Sequence, residues 1–179
     1  MIKKISTGLI IIFIIILQTT LFQQLSINNT TPNLFIITIV SISALMGRKD
    51  GLLYAILFGV VQDIQFGGVV GFYVLVYAII AYVSGYLYRN YYAESMMIPL
   101  IVIGLSDLFY NLVIFIFTYL LRGRLELGYY FGFIIAPEVT YTVFIGVLFY
   151  RLYIIYFNFL RMTHTKKRKG EDAFNEGDF

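Results

Sequence analysis

Long runs of apolar residues, separated by short polar turns, make up most of the chain. The first run follows Lys3 and Lys4, and a tight charged turn at residues 47–51 separates two of the later runs. The runs are continuous and lack the apolar–polar alternation of membrane β-barrel strands, so each one predicts a helix. A helix that crosses the roughly 30 Å hydrocarbon core of a bilayer needs about 20 residues. The six predicted membrane spans are residues 5–22, 32–46, 52–66, 69–88, 97–121 and 129–157.

The end of the chain differs from the rest in composition. Residues 161–179 contain the basic run Lys166–Lys169 followed by acidic residues, and they show no apolar periodicity. We therefore predict one polytopic transmembrane domain over residues 1–160 and a disordered, charged cytoplasmic tail over residues 161–179. The basic run is expected to fix the topology and keep the tail solvated, and it could also contact anionic lipid headgroups.

The overall composition supports a membrane protein. Of the 179 residues, 60% are hydrophobic and 13% charged, against about 45–50% and about 25% in soluble domains. The mean hydropathy is +0.83. A soluble domain of this length still exposes about a third of its unfolded area, so it could not hide this much apolar surface. The sequence therefore predicts an all-α integral membrane protein, a bundle of six transmembrane helices.

Chemistry is limited by the residues that the sequence lacks. There is no Cys, which excludes disulfides and thiolate sites, and the single His, His164, lies in the polar tail. Most general-base and zinc chemistry is thereby removed from the apolar body. We expect no catalytic residue, no metal or cofactor site and no nucleic-acid partner.

The distribution of cations predicts the orientation. With six spans and a cytoplasmic N-terminus, 11 of the 13 Lys and Arg residues fall on the cytoplasmic side, and only Arg122 and Arg124 fall outside. Cytoplasmic loops are enriched in Lys and Arg. We therefore expect a multi-pass protein of the cytoplasmic membrane with both termini in the cytoplasm.

A period-four ridge of small residues marks the third span. Residues four apart share one helix face, and small residues there let another helix approach closely. Asp63 on this ridge has two readings: with Gln62 it forms a polar junction near the outer surface, or it caps the glycine turn that follows. In both readings the ridge is a packing surface for partner or self helices. Its residues are Gly51, Ala55, Gly59, Asp63 and Gly67.

Other polar residues also lie at predicted membrane depth, where an ionisable group costs several kcal/mol. Asp107 and Asn111 are four residues apart, and Asp107 is either part of a proton or ion site within the bundle or a protonated or paired group that locks two helices together. The second reading is favoured because a transport path usually needs more than one such group. Glu138 follows Pro137 and either lines an opening toward the outside or satisfies the helix break. Gln18 is expected to make an interhelical hydrogen bond.

Intramembrane proteolysis is a weaker interpretation. Residues 104–107, Gly-Leu-Ser-Asp, resemble the Gly-x-Gly-Asp motif of intramembrane aspartyl proteases. However, Ser106 replaces the second glycine. Asp63, the conceivable partner carboxylate, is predicted near a membrane surface while Asp107 is predicted at mid-depth. We therefore do not expect an enzyme.

A series of short motifs resembles a known family. The most specific is Gly-x-x-Gln-Asp at residues 59–63, followed by a double glycine at 67–68. In this order and spacing the sequence resembles the MreD family of bacterial rod shape-determining proteins. It departs from that pattern at Asn33, where Asp is usual, and no family motif matches Asp107 or Glu138. The other motifs are Leu17-Gln18, Pro32-Asn33-Leu34, Gly71-Phe72, Tyr77 and Gly85-Tyr86-Leu87.

The resemblance implies a non-catalytic inner-membrane component of the cell-elongation machinery. Such a protein binds MreC directly, works with MreB, RodA and its penicillin-binding transpeptidase, and scaffolds or regulates peptidoglycan synthesis. A homodimer is left open. The family also looks similar in architecture to the substrate-binding subunits of energy-coupling-factor transporters. The alternative function is therefore a vitamin-type small-molecule binding subunit, for which Gln18, Gln62, Asp63 and Glu138 offer polar groups in the outer halves of the helices.

Overall fold

The computed structural model describes residues 2–24, 26, 30–66, 70–91, 97–118 and 127–175, and it arranges them as six helices. Their number agrees with the six apolar runs. The first and last helices each contain one π-helical turn. Helix α1 comprises Ile2–Ile16, the π-turn Leu17–Leu21 and Phe22–Gln24; α2 is Leu34–Met46, α3 Arg48–Phe66, α4 Phe72–Tyr91 and α5 Met97–Thr118; α6 comprises Leu127–Tyr130, the π-turn Phe131–Ile135 and Ala136–Asn175.

Two helices are long and apolar enough to cross a membrane by themselves, over Met97–Phe117 in α5 and Phe131–Phe159 in α6. Shorter apolar stretches occupy Gly8–Thr20, Leu34–Met46 and Phe72–Leu87. Large apolar side chains cover the outside of the bundle, and several of them are more than 60% exposed. Examples are Leu9, Ile64, Phe133, Phe144 and Phe159. A surface of this kind suits lipid contact, while the crossing of a bilayer by all six helices stays a prediction.

Helix α2 is the centre of the fold. Every residue from Leu34 to Ala44 is buried, and α2 contacts each of the other five helices. Its 13 residues span about 20 Å, which is shorter than the roughly 30 Å hydrocarbon core. The ends of α2 therefore lie inside the protein, where their free backbone groups need protein partners.

Close backbone approach holds α2, α3 and α4 together. Gly47 ends α2 at φ 97°, a conformation that favours glycine, and its N–H donates to the carbonyl of Ser43 at 3.1 Å. A methyl group at Gly51 would overlap the side chain of Ser43 in α2. A methyl group at Gly59 would overlap the backbone of Val74 in α4. Glycine at these two positions is what lets α3 lie so close to its neighbours.

The ridge of small residues on α3 therefore packs within the chain. Gly51, Ala55, Gly59 and Asp63 are all buried against the neighbouring helices, and Gly67 lies outside the described residues. The packing role expected of the ridge agrees with this placement. This face of α3 is not free to bind a partner protein, because α2 and α4 already pack against it.

An aromatic clamp lies where α3 begins, and it consists of Arg48 from α3 and Tyr82 and Tyr86 from α4. The guanidinium of Arg48 lies 5.4 Å from the ring centre of Tyr82 and 5.8 Å from that of Tyr86. Gly85 between these tyrosines faces Arg48, so the start of α3 approaches α4 closely. A cation held over aromatic rings is stabilised by about 0.5–2 kcal/mol.

Helix α6 continues through residues 161–175, where the composition predicts a disordered tail. Lys, Arg, Glu and Ala have high helix propensity, and the segment extends an existing helix without a new nucleation step. High helix propensity and the continuation of an existing helix explain why residues 161–175 are helical, whereas their composition alone predicts disorder. The cytoplasmic placement of the segment stays a prediction.

We predict that Gly59→Ala destabilises the bundle while Gly8→Ala does not. The added methyl group at Gly59 would force α3 away from α4, and overpacking of this kind costs about 1–3 kcal/mol. At Gly8 a methyl group meets no atom within 4 Å. Thermal unfolding of the purified proteins in detergent would measure both effects, and equal melting temperatures for the two variants would contradict the packing described.

Candidate functional site

The start of α2 is capped by its own sequence. The side-chain oxygen of Asn33 accepts a hydrogen bond from the backbone N–H of Ile36 at 3.2 Å, the geometry of a helix N-cap. The helix therefore begins at Leu34, two residues later than predicted. Pro32 precedes the cap and is not part of the first helical turn.

Two other helices complete this cap. The N–H of Leu34 donates to Oε1 of Gln18 at 2.8 Å, and the N–H of Asn33 donates to Oγ1 of Thr142 at 3.1 Å. Gln18 belongs to the π-turn of α1 and Thr142 to α6. These bonds fix α1 and α6 to the start of α2. Gln18 makes the interhelical hydrogen bond expected of it.

A cavity of about 180 Å³ lies beside this capped helix end. It brings together three residues singled out in the sequence, Gln18, Gln62 and Glu138, from three different helices. The side chains of Gln65 and Phe66 at the end of α3 are exposed, so the cavity opens at that end of the bundle. The complete lining is Gln18, Thr19, Thr31, Asn33, Phe35, Gln62, Gln65, Phe66, Tyr110 and Glu138.

An aromatic network supports one wall of the cavity. Nε2 of Gln62 donates to the hydroxyl of Tyr110 at 3.3 Å, which joins α3 to α5. The ring of Tyr110 stacks on Tyr77 with 5.5 Å between centroids, and Phe35 stacks on Phe58 at 4.9 Å. Gln62 thus makes a polar junction between helices.

Glu138 reaches the cavity just after an irregular turn of α6. The π-turn Phe131–Ile135 ends at Ala136, whose N–H donates to the carbonyl of Phe131, and Pro137 follows. Proline has no N–H to continue the regular α-helical bonding, so the turn before it is free to widen. Of the two readings of Glu138, the structure agrees with the one in which it lines an opening.

Asp107 lies deeper, next to this site. Its side chain is completely buried, neither carboxylate oxygen makes a hydrogen bond among the described residues, and Glu138 and Thr142 are its neighbours. The amide of Asn111 donates to the backbone carbonyl of Asp107 at 3.1 Å and leaves the carboxylate unpaired.

Asp63 is used elsewhere in the fold. Its two carboxylate oxygens accept hydrogen bonds from the N–H groups of Gly71, at 2.9 Å, and Tyr73, at 3.0 Å. These groups lie at the start of α4, where the helix dipole favours a negative charge. This is the cap of the glycine turn, the second reading of Asp63, and it separates Asp63 from the cavity.

The polar groups around the cavity could bind a ligand. Around the cavity are amide and hydroxyl groups and one carboxylate, most of which hold helices in place. Asp63 is hydrogen-bonded to the start of α4 and does not line the cavity. Within the described ranges no group of three or more His, Cys, Asp or Glu residues could hold a metal ion.

Sequence reasoning missed three residues of this site. Asn33 stands directly before an apolar run, which is the sequence pattern of a helix N-cap, so its capping role could have been predicted. Thr142 lies four residues after Glu138 on the same helix and carries no signal of its own, and Tyr110 carries none in an apolar, aromatic-rich helix. The hydrogen bonds of Thr142 and Tyr110 span 109 and 48 residues of chain, respectively.

Comparison with known proteins gives one match. The family described as rod shape-determining protein MreD matches residues 2–163 of the chain. This range contains every residue that lines the cavity and all six helices as far as residue 163 of α6. No curated protein and no solved structure matches the chain.

We predict that Thr142→Val destabilises the protein while Thr140→Val is nearly neutral. The first change leaves the buried N–H of Asn33 unpaired, at a cost of about 1–3 kcal/mol. Thr140 is exposed and its hydroxyl bonds only to its own helix, to the carbonyl of Ala136. Chemical or thermal unfolding in detergent would compare the two variants, and an equally stable Thr142→Val protein would contradict the capping role.

Proposed function

The chain belongs to the MreD family of rod shape-determining proteins, and on this basis we propose that it is a non-catalytic scaffold of bacterial cell elongation. In this proposal it binds MreC directly and regulates peptidoglycan synthesis together with MreB, RodA and its penicillin-binding transpeptidase. It is a multi-pass protein of the inner membrane with both termini in the cytoplasm. The match over residues 2–163 is the observation that carries the proposal.

The surface of the bundle supports a membrane location. Apolar side chains cover its outside, and α5 and α6 contain stretches long enough to cross a bilayer. Arg48 and its aromatic clamp lie at the end of α3 that the distribution of cations places in the cytoplasm. The cavity lies at the opposite end of α3 and would face outward.

A non-catalytic role is consistent with the family and with the use of the polar residues. MreD proteins are structural, shape-determining components rather than enzymes. In this chain Asp63, Gln18 and Thr142 each hold the start of a helix. We infer that these residues maintain a defined shape for partners to recognise.

We place the contact with MreC on α6, because the ridge on α3 is already covered by α2 and α4. Gly132, Ala136 and Thr140 are exposed and four residues apart, so they share one face of α6. They border an open, largely apolar groove of about 540 Å³ together with Tyr141 and Phe144. Small residues on a lipid-facing helix allow the close approach of another transmembrane helix.

We predict that Ala136→Leu weakens copurification of MreC at least about fivefold, since the larger side chain would fill the groove and separate the helices. The control variant Gly8→Leu adds even more bulk at a position where a methyl group meets no atom within 4 Å, and it should copurify MreC normally. Pull-down from solubilised membranes, normalised to the amount of each variant inserted, would measure this. Unchanged recovery of MreC with Ala136→Leu would move the contact away from the groove.

The alternative function, a vitamin-type binding subunit of a transporter, is favoured by one observation: the polar cavity itself. Depletion of the protein in its host separates the two functions. We predict that rod-shaped cells become spherical, because the elongation machinery loses a component. A vitamin auxotrophy with normal cell shape would contradict the scaffold proposal and support uptake.

A further inference from the structure

The cavity retains hydrogen-bonding capacity after the helix caps are made. Gln62 donates its amide to Tyr110, which leaves its carbonyl oxygen free to accept a hydrogen bond. The carboxylate of Glu138 adds two more acceptor oxygens, and the hydroxyls of Thr19 and Thr31 can also accept. A ligand that donates hydrogen bonds would therefore find several partners here.

The charge of the site favours a cation. Glu138 lines the cavity and Asp107 lies behind it, so two carboxylates are electrostatic neighbours. No Lys, Arg or His is among the residues that line the cavity. Asp107 is completely buried without a hydrogen-bond partner among the described residues. Glu138 is the acidic group that lines the cavity itself, where its carboxylate would attract a cation and repel an anion.

The size and the aromatic lining distinguish between kinds of cation. A volume of about 180 Å³ is several times the roughly 30 Å³ share of one water molecule. Phe35, Phe66 and Tyr110 all contribute to the walls, and the faces of aromatic rings attract ammonium groups. The described residues contain no carboxylate-rich cluster of the kind that holds a metal ion. These features fit an organic ammonium compound better than a bare metal ion.

We propose that this cavity binds a small organic ammonium group, with Glu138 as its counter-ion, the Gln62 carbonyl as a hydrogen-bond acceptor and the aromatic side chains around it. The group enters past Gln65 and Phe66, whose side chains are exposed at the open end. Two sources carry this chemistry: a free amine outside the membrane, or the ethanolamine headgroup of a phospholipid.

Calorimetric titration of the full-length protein in maltoside detergent would test the proposal. The probes are ethanolamine, choline and ethylene glycol, the last being a neutral analogue of ethanolamine. We expect saturable binding of one or both amines and none of the glycol. Glu138→Gln should weaken amine binding at least about tenfold, since it removes a charge-assisted interaction. Gln62→Met, which removes the acceptor together with the hydrogen bond to Tyr110, should weaken it by a smaller factor.

The matched control is Asp50→Asn, which removes an exposed carboxylate near the start of α3, remote from the cavity. It should bind amines like the unaltered protein. Size-exclusion profiles and unfolding temperatures would verify that each variant is folded. Unaltered amine affinity in folded Glu138→Gln, equal loss in Asp50→Asn, or equal binding of ethylene glycol would each overturn the proposal.

The source of the ammonium group can be resolved in lipid nanodiscs. If a headgroup fills the cavity, nanodiscs containing phosphatidylethanolamine should abolish ethanolamine binding that phosphatidylglycerol nanodiscs permit. If the ligand is a free amine, both lipid compositions should permit equal binding. Absence of ethanolamine and choline binding in detergent and in both nanodiscs would reject the ammonium site itself. Because this measurement does not depend on MreC or on cell shape, its failure would leave the scaffold proposal intact.

Discussion

The fold depends on satisfying the backbone groups at the start of one short, buried helix. Helix α2 is wholly enclosed, so water is not the natural partner for its first N–H groups, and each unpaired group would cost about 1–3 kcal/mol. Asn33 caps the helix from within its own segment, while Gln18 and Thr142 do so from α1 and α6. The contacts of Gln18 and Thr142 thereby fix the first helix, α1, and the last helix, α6, to the central helix α2.

The same constraint produces the candidate site. Polar groups that reach the start of α2, among them Gln18 and Asn33, also line the cavity beside it. The π-turns in α1 and α6 both lie at this level and bring Gln18 and Glu138 to it. At the other end of α3, by contrast, small residues let backbones meet, and Arg48 is covered by aromatic rings. The bundle therefore has a polar cavity at one end of α3 and a cation covered by aromatic rings at the other.

The apolar runs sufficed to predict six helices, because a helix within a bilayer or a protein core needs a continuous apolar run of about its own length. Which face of each helix is buried could not be predicted, since lipid and protein interior are equally apolar. Leu34–Ala44, which is entirely buried, and α5, which is partly exposed, therefore look alike in hydropathy. The ridge on α3 was recognised by its period of four, but its neighbours were not, because α2 and α4 contribute Ser43 and Val74 without any distinctive pattern. Gln18, Gln62 and Glu138 stood out individually as polar residues, whereas their convergence depends on long-range packing.

Labelling of single cysteines in spheroplasts would test the central claim, an enclosed α2 whose polar end faces outward. The sequence has no Cys, so each substitution introduces the only thiol. With a membrane-impermeant maleimide, we predict that Gln65→Cys at the cavity mouth is labelled directly. Lys49→Cys at the opposite end of α3 should be labelled only after permeabilisation, and Ile42→Cys inside α2 only after denaturation. Direct labelling of Ile42→Cys, or of Lys49→Cys in place of Gln65→Cys, would contradict the account.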